Sequence, residues 1–485
     1  MSVCFAIAHQ SLRQPEKVAL SYGNEEITYG ALEARVGAAA SHLKALGVDE
    51  GSRIGVALFD TPDHVIALLA LGRLGATAVP IDYRAAATQK KDLCEAFGVA
   101  TILCSRKSKT PSANEVVFSS VEFDDAPLAH QPGRLDRTFL INFSSGSTGL
   151  PKPVYMTEQQ LYHRCVTWWT HLEMTPDLVY LSVLPLAYSF GRNYLLFSLI
   201  AGQTVVMHDP LFRDEELVSF INQQPITLAM FPATIHRRLL AIAGTDGYLM
   251  PHLKKLVSGA APLHAHEKIA IADKINPNFF EVYGHNGAGL MSVLPPADVK
   301  KHSASVGVTT SLSHIQIVDD EDRVLPMGEV GRVRSRGPQI AADNEEVDQD
   351  APWPWCYTGE MGVLDCEGRL MLRDRADDMI VTGGFKVFPL EVEKVLLQHE
   401  GVKDAAVVGL SSQRDGQDVA AFLVVKDGVE LSSVRELCRT QLTPYKVPRR
   451  FFCVEVIPKS AASKVLRREL IENIESYQEV STGES

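Results

Sequence analysis

The chain has 485 residues, of which 46% are hydrophobic and 22% charged, and its formal net charge is −12. This length allows a large core and at least two domains, and the acidic balance argues against a protein that binds nucleic acid through phosphate contacts. No apolar stretch approaches the ~18 residues that a membrane-spanning helix requires.

The cysteines and the first residues carry information about location. The eight cysteines are scattered, and no two of them form a C-x-x-C pair. Neither a zinc site nor a disulfide framework is therefore predicted. No basic segment precedes an apolar stretch near residue 1, so we expect no secretory signal. These features predict a cytoplasmic protein with free thiols.

Strand-like and helical segments alternate over residues 1–250. Apolar runs predict strands at 53–59, 78–81, 100–104 and 138–143. The spacing of apolar residues predicts helices from Val65 and over 92–97. Strand–helix–strand order favours parallel sheets covered by helices. Thr157 and Gln160 have the spacing of a capping box, which predicts the start of another helix.

From about residue 305 the pattern changes to short strand-like runs, at 315–318, 331–334 and 370–372. These runs predict a small β-rich subdomain. After Asp378, helices are predicted near 389–399 and 432–442, and strands at 404–409 and 419–425. We therefore predict an α/β protein. Its large N-terminal domain of helix-covered sheets (1–376) includes the β-rich subdomain, a small C-terminal α/β domain follows (377–475), and the polar tail 476–485 is disordered.

The strand predicted at 138–143 leads into a loop rich in glycine and hydroxyl groups, Ser144-Ser145-Gly146-Ser147-Thr148-Gly149-Leu150-Pro151-Lys152. Glycines permit backbone angles closed to other residues, so several N–H groups can face one anion. The hydroxyls add donors and Lys152 adds a positive charge, which suits a polyphosphate. The loop is not a Walker A loop, because no Gly-Lys-Ser/Thr sequence ends it. A flexible surface turn is the alternative for a loop of this composition.

The order S-S-G-S-T-G-x-P-K resembles the adenylate-forming superfamily, which includes acyl- and aryl-CoA synthetases, adenylation domains of peptide synthetases, and luciferases. Other segments match motifs of this family in the family's order, and together they span roughly residues 10–470. They are 28–32, 75–82, 185–191, 258–263, 283–284, 328–331, 357–360, 375–378, 383–389 and 458–464.

The resemblance implies a reaction in two halves. A carboxylate attacks the α-phosphorus of ATP to give an acyl-adenylate and pyrophosphate, and a thiol then displaces AMP. ATP and Mg²⁺ are the implied cofactors, and coenzyme A is the implied acceptor. One alternative is a stand-alone adenylation enzyme that loads the phosphopantetheine of a separate carrier protein. A second is a weakly active nucleotide- or acyl-binding homologue. The expected partner is a small carboxylic acid, with no nucleic acid and no membrane.

The resemblance also assigns residues. It implies that Lys464 bridges the carboxylate and the α-phosphate, and that Thr148 acts in catalysis and indirectly at the metal. Asp377 matches the hinge about which the small C-terminal domain is mobile in the family, and Gly384 matches the glycine of the thiol tunnel. The alternatives are an exposed lysine for Lys464, a surface salt bridge for Arg375 and Asp377, and a plain turn glycine for Gly384. The implied ATP contacts are Ser144, Ser145, Gly146, Ser147, Thr148, Gly149, Lys152, Gly259, Ala260, Ala261, Tyr283, Gly284, His285, Asn286, Glu360 and Arg375.

Three positions depart from the family. Glu360 replaces the aspartate that usually binds the ribose hydroxyls, where Arg375 would assist, and Ser463 replaces a glycine. Gly287 replaces the glutamate that helps to hold Mg²⁺ on the ATP phosphates. Phosphates, Thr148 and water can hold the ion instead, since Mg²⁺ commonly keeps several waters and relies on substrate phosphates. Alternatively, another carboxylate substitutes for the glutamate, or the first half-reaction is impaired.

The acid pocket is predicted from four residues. Gly191 stands where amino-acid-activating members carry an aspartate, so an α-amino acid is not expected as substrate. Arg192 either pairs with a second carboxylate or polar substituent of the substrate or is structural. Tyr188 is expected to flank an aromatic or acyl group, and His285 either lines the pocket or is structural.

Overall fold

The computed structural model describes residues 2–109, 111–123, 126–129, 135–144, 152–245, 247–341, 353–375, 378–382, 385–412, 416–459 and 465–480. The strands of the N-terminal part are β1 (Val18–Tyr22), β2 (Glu25–Thr28), β3 (Arg53–Ala57), β4 (Thr77–Pro80), β5 (Thr101–Cys104), β6 (Asn114–Val117), β7 (Thr138–Ser144), β8 (Lys152–Thr157), β9 (Val179–Ser182), β10 (Thr204–Met207), β11 (Leu228–Pro232), β12 (Lys255–Gly259), β13 (Phe279–His285), β14 (Gly289–Leu294) and β15 (Val308–Thr309). Its helices are α1 (Val3–Arg13), α2 (Tyr29–Ala45), α3 (Pro62–Leu74), α4 (Ala87–Phe97), α5 (Glu158–Leu172), α6 (Ser189–Ile200), α7 (Asp214–Gln223), α8 (Ala233–Ile242), α9 (Ala265–Lys274) and α10 (Pro296–His302).

These strands form two sheets. The six-stranded sheet has the order β6-β5-β3-β4-β7-β8, and all its pairs are parallel except β7–β8. The nine-stranded sheet has the order β15-β14-β13-β12-β11-β9-β10-β1-β2. In this order, the neighbouring strands from β13 through β1 pair in parallel. The strands at both edges of the sheet pair in antiparallel orientation. The predicted α/β class with parallel, helix-covered sheets is confirmed.

Helix α3 shows how the local sequence sets the ends of an element. Pro62 occupies its first turn, where a missing N–H costs nothing. Gly75 ends it with φ +72°, in the left-handed region that favours glycine. Between them Val65, Leu68 and Leu69, which predicted the helix, are all buried. Burying each such side chain contributes ~1.5–3 kcal/mol.

Two other helices test the predicted starts. The capping box at Thr157 is confirmed, because Thr157 Oγ1 accepts from Gln160 N–H at 3.1 Å and Gln160 Oε1 accepts from Thr157 N–H at 2.9 Å. Helix α4 begins at Ala87, five residues before the predicted start at Asp92. Its first turn is polar and exposed, so it carries no apolar periodicity that would reveal it.

The β-rich subdomain is a four-stranded antiparallel sheet with its strands in chain order. Its strands are β16 (His314–Val318), β17 (Gly331–Arg336), β18 (Cys356–Leu364) and β19 (Leu370–Arg375). Three of the four correspond to the predicted runs. Strand β18 carries the family segment 357–360 and was not predicted as a strand.

The C-terminal domain has its own buried apolar clusters on both sides of a long hairpin. The predicted boundary at 376/377 lies outside the described residues and stays a prediction. The elements of this domain are β20 (Ile380–Thr382), β21 (Phe385–Val387), α11 (Pro389–Leu396), β22 (Val402–Ser412), β23 (Gly416–Val425), α12 (Leu431–Gln441), β24 (Arg450–Cys453) and α13 (Arg467–Glu472).

Part of the tail that was expected to be disordered is packed against β24. Val480 N–H donates to Phe451 O at 2.9 Å, and Glu479 pairs with Arg450 at 2.7 Å. The sequence did not predict this because residues 476–480 are largely polar. Their two apolar side chains, Tyr477 and Val480, pack against buried clusters of the C-terminal domain. Among the residues described, no helix combines the length and the apolar character needed to cross a bilayer.

Candidate active site

The predicted phosphate loop joins the ends of β7 and β8. The two strands are antiparallel, and the backbone of Ser144 lies opposite that of Lys152. The two ends of the loop are therefore adjacent at one edge of the six-stranded sheet. The other loop residues assigned to ATP lie outside the described residues, and with them the metal contact assigned to Thr148. They are Ser145, Gly146, Ser147, Thr148 and Gly149.

Asn286 connects this loop with the rest of the predicted site. It lies in the turn between β13 and β14, and its Nδ2 donates to Phe143 O, beside the start of the loop, at 3.0 Å. Its Oδ1 accepts from Ser189 Oγ, at the start of α6, at 2.8 Å. One side chain thus brings together the phosphate strand, the 283–287 segment and the aromatic motif 185–191.

The segment after β12 packs tightly against that aromatic motif. A Cβ added at Gly259 would lie 2.8 Å from Val282 Cγ2 and 3.0 Å from Phe190 Cε2. Only a residue without a side chain allows Phe190 to approach so closely. Ala260 has φ +67°, which is uncommon for a residue with a Cβ and marks local strain. The half-buried Ala261 follows directly, so all three predicted residues stand next to the motif.

Tyr283 on β13 of the nine-stranded sheet contacts Glu360 on β18 of the four-stranded sheet. Tyr283 Oη donates a short hydrogen bond to Glu360 Oε2. Burial and the neighbouring Glu360 raise the pKa of Tyr283 well above its usual range, so the phenol keeps its proton. The backbone of Glu360 on β18 lies opposite that of Arg375 on β19. The structure therefore brings together the two residues predicted to bind ribose and Tyr283, another of the predicted ATP contacts.

The turn after Tyr283 is compact. A Cβ at Gly284 would lie 2.7 Å from Gly289 O, so the hairpin needs glycine there. Further along the turn, a Cβ at Gly287 would lie 2.8 Å from Cys356 Sγ and 3.4 Å from His285 Nδ1. His285 Nδ1 accepts from Gly287 N–H at 3.2 Å and is 3.7 Å from Cys356 Sγ. A buried thiol thus fills the space next to the missing side chain.

This donor set does not suit Mg²⁺. The side-chain atoms beside Gly287 are the sulfur of Cys356 and a nitrogen of His285, whereas Mg²⁺ prefers oxygen ligands. Over the described part of the chain, no three His, Cys, Asp or Glu side chains cluster in a way that could hold a metal ion. The side chains around position 287 therefore do not fit direct ligation of Mg²⁺ by the protein.

Arg164 on α5 supports the same turn and was not predicted. Its Nη2 donates to Gly287 O at 2.9 Å and its Nε donates to Gln339 O at 3.0 Å. Burial lowers the pKa of the Arg164 guanidinium to about 10. A single arginine on an amphipathic helix gives no sequence signal for this role, because the carbonyls that it reaches lie far away in the chain.

The aromatic motif is held by two acidic residues at the ends of strands in the six-stranded sheet. Tyr188, which is 42% exposed, donates from Oη to Asp82 Oδ2 at 3.1 Å, and Arg84 pairs with the same carboxylate. Asp60 Oδ1 accepts from Leu186 N–H at 2.6 Å. Burial raises the pKa of Asp60 to about 6. Tyr188 is partly exposed, and its place beside an aromatic or acyl group of the substrate stays a prediction.

Gly191 is buried in the first turn of α6. A Cβ there would lie 2.8 Å from Leu184 O and 2.9 Å from Pro185 O. A side chain at position 191 would therefore project into the backbone at residues 184 and 185. The lack of space explains why this position carries no carboxylate, whichever acid the enzyme binds.

The structure corrects the prediction that Arg192 lies in the acid pocket. Arg192 is 1% exposed, and its Nη1 donates to Leu186 O at 2.9 Å and to Ala187 O at 3.0 Å. Its Nη2 makes a short hydrogen bond to Asn142 Oδ1 on β7. The guanidinium therefore lies beneath the motif and is bonded to the fold, as in the structural alternative. The apolar side chains around Arg192 belong to the buried helix α6.

Lys464, Asp377 and Gly384 lie outside the described residues. Arg467, three residues after Lys464, forms ion pairs with Asp378 at 3.3 Å and with Glu393 at 2.7 Å. The C-terminal flank of the lysine segment is therefore attached to the residue that follows the predicted hinge.

Known proteins match the chain almost from end to end. Residues 7–342 match the family described as AMP-binding enzyme, and residues 391–464 match the AMP-binding enzyme C-terminal domain. A 7a-methyl-1,5-dioxo-octahydro-1H-inden-4-yl propanoyl:CoA ligase of Mycobacterium tuberculosis is 30% identical, with 94% of this chain and 96% of that protein covered. Feruloyl-CoA synthase of an Amycolatopsis species is 27% identical, with 94% and 96% covered.

Among solved structures, o-succinylbenzoate CoA synthetase of Bacillus subtilis with its acyl-adenylate intermediate superposes with a TM-score of 0.86. It is 27% identical, and the match covers 96% of this chain and 97% of that one. The same enzyme is also known with ATP and magnesium. The chain belongs to the family of AMP-binding enzymes. It is an ATP-dependent ligase of the acyl-CoA synthetase type, as the motifs predicted.

Proposed function

We propose that this enzyme joins a ring-bearing carboxylic acid, other than an α-amino acid, to coenzyme A through an acyl-adenylate. The observation that carries the proposal is the junction at Asn286, which bonds to the strand before the phosphate loop and to the start of the aromatic motif. Adenylation needs a carboxylate and an α-phosphorus side by side, and these are the two segments that would present them.

The nucleotide is assigned to residues around this junction. Glu360 accepts from Tyr283, and a carboxylate has further lone pairs for the ribose hydroxyls, with Arg375 beside it. The loop from Ser144 to Lys152 is assigned to the phosphates. Lys464 is assigned to the carboxylate and the α-phosphate, where its charge would offset the negative charge that develops during attack.

The chemistry then runs in two steps. A carboxylate oxygen of the acid bonds to the α-phosphorus while the bond to the β-phosphate oxygen breaks and pyrophosphate leaves. The thiol of the acceptor, after losing its proton, attacks the acyl carbonyl and AMP leaves with the bonding pair. The protein contributes no covalent nucleophile to either step, so position and charge stabilisation account for the rate. We assign Mg²⁺ to the ATP phosphates, Thr148 and water.

The acid class follows from what lines the motif. Tyr188 is partly exposed and Phe190 packs against Gly259, so the motif that we assign to the acid carries two aromatic side chains. Arg192 is bonded within the fold, so a second carboxylate on the acid finds no free partner there. The relatives named above act on acids that carry rings. We therefore favour an aryl or alicyclic acid with one reacting carboxylate.

Coenzyme A is the proposed acceptor because the named relatives are CoA ligases and synthetases. A separate carrier protein would present the same thiol arm and is an outcome of the test below. The use of ATP and of this thiol supports the cytoplasmic location predicted from the sequence.

The test is pyrophosphate exchange with the purified enzyme over aryl, alicyclic, fatty and dicarboxylic acids and the α-amino acids, at several Mg²⁺ concentrations. We expect exchange with at least one ring-bearing acid and none with α-amino acids. That acid is then offered with coenzyme A or with a holo carrier protein. Thioester formed only on the carrier would replace the proposed acceptor. Nucleotide binding without exchange for any acid would instead support a binding homologue.

A further inference from the structure

Arg192 is a buried arginine in a setting where arginine is costly. It is 1% exposed, its Nε has no hydrogen-bond partner within the described part of the chain, and no carboxylate there pairs with it. Burial lowers the pKa of the guanidinium to about 9. Replacing buried charged groups by apolar side chains of similar volume is often neutral or stabilising, so stability alone gives a weak reason for an arginine here.

The contacts of Arg192 join two parts of the molecule. Asn142, which accepts from Nη2, lies on β7 in the six-stranded sheet, two residues before the loop assigned to the phosphates. Leu186 and Ala187, whose carbonyls accept from Nη1, follow β9 of the nine-stranded sheet and begin the motif assigned to the acid. The guanidinium therefore spans the seam between the two sheets.

A second contact crosses the same seam one residue further along β7. Phe143 O accepts from Asn286 Nδ2, and Asn286 Oδ1 accepts from Ser189 Oγ. Two consecutive residues of the phosphate strand are thus tied to the segment 186–189. Because a planar guanidinium bonds in fixed directions, the Arg192 tie sets orientation as well as distance.

We propose that Arg192, acting through Asn142, is a positioning residue that sets the register between the phosphate side and the acid side of the site. This inference rests on the proposed function, because it presumes that adenylation takes place across the seam. Arg192 touches neither substrate. It fixes the distance at which a carboxylate held by one sheet meets an α-phosphorus held by the other.

The expected effect is on the rate of adenylation. A misplacement of about 1 Å can lower a rate by ~10²-fold. We expect Arg192→Met to lower kcat for pyrophosphate exchange by roughly 10- to 100-fold, with KM for ATP and for the acid changed less than about threefold. The rate at which preformed acyl-adenylate transfers its acyl group to the thiol should fall by less than about threefold. Pyrophosphate has already left before this step, so the position of the phosphate strand no longer limits the rate.

Arg73→Met is the matched control. Arg73 is also a buried arginine, with 3% of its side chain exposed, and it bonds to Leu128 O and to Glu33, which is no part of the predicted site. Its variant should lose stability while keeping the kcat for exchange within about threefold of the wild type. Arg192→Lys keeps the charge without the planar geometry and should stay impaired. Thermal unfolding of all variants shows whether they are folded at the assay temperature.

The outcomes separate the two proposals. If the wild-type enzyme exchanges pyrophosphate with no acid, the proposed function itself fails. If the wild type is active and Arg192→Met matches Arg73→Met in kcat, the positioning role is overturned and the proposed function stands. Full activity of Arg192→Lys would also overturn it, because charge alone would then suffice. Equal losses in adenylation and thiol transfer would overturn it too.

Discussion

Adding a side chain at Gly287 should disturb this protein through one contact. The resemblance to the family predicts a glutamate at this position, and a Cβ there would lie 2.8 Å from Cys356 Sγ. The φ of Gly287 is not among the positive values, so the backbone would accept alanine without strain. Gly287→Ala therefore isolates the contact with the thiol.

The magnitude follows from the overlap. Optimal separations between non-bonded heavy atoms are ~3.5–4.0 Å, so the new Cβ would be close by nearly 1 Å. Overpacking of this kind costs ~1–3 kcal/mol. Replacing glycine by alanine where the backbone allows it returns ~0.4–1 kcal/mol through the unfolded state. We expect Gly287→Ala to be destabilised by roughly 0.5–2 kcal/mol.

Cys356→Ala removes the thiol and with it the overlap. In that background Gly287→Ala should be neutral or slightly stabilising, so the two substitutions should couple by ~1–3 kcal/mol in a double-mutant cycle. The measurement is the free energy of unfolding by urea for the wild type, the two single variants and the double variant, with ATP absent.

A coupling energy below about 0.5 kcal/mol would refute the reasoning, since contacting residues usually couple by more than that. Such a result would mean that the thiol turns away from Gly287 at little cost. Gly284→Ala serves as a positive control. Its Cβ would meet backbone, Gly289 O at 2.7 Å, and removing the thiol should not relieve it.

Three further predictions concern the assigned residues and pH. Lys464→Ala should slow pyrophosphate exchange at least ~10²-fold, and unchanged exchange would remove the lysine from the mechanism. Thr148→Ala should slow it at least ~10-fold, because no carboxylate at Gly287 shares the metal and phosphate contacts, and a near-normal rate would show that the enzyme does not depend on this hydroxyl. Asp60 has its pKa raised to about 6, so the stability that it contributes is complete at acidic pH and is lost as pH rises through about 6. Asp60→Asn cannot titrate, and the fall in unfolding free energy from pH 4 to pH 7.5, measured by urea denaturation, should shrink by roughly 2 kcal/mol. An unchanged fall would mean that Asp60 ionises normally.

Much of the fold could be predicted because its signals are local. Apolar runs indicated β3, β4 and β5, and the capping box at Thr157 marked the start of α5. The changes of pattern near residue 305 and after Asp378 predicted the β-rich subdomain and the C-terminal α/β domain. The first turn of α4 was not predicted because its side chains face solvent. A helical turn that buries no side chain shows no apolar periodicity in the sequence.

Within the site, only residues that belong to a sequence motif could be predicted. Tyr283 and Glu360 were assigned from their segments, and the structure puts them in contact although 77 residues separate them. Asn142, Arg164 and Cys356 carry no motif. Tertiary packing brings these side chains to the site, and no local sequence pattern predicts such contacts. Arg192 shows the converse difficulty, because arginine is usually exposed and its burial was not expected.

The hairpin formed by β13 and β14 also limits how this enzyme can change over evolution. It bonds to Glu360 through Tyr283, to the phosphate strand through Asn286 and to Arg164 at Gly287. A substitution in its turn would disturb at the same time the segments that we assign to the ribose, the phosphates and the acid. New acid specificities should therefore arise at the partly exposed Tyr188 and its surroundings, where a change in shape leaves the handling of ATP intact.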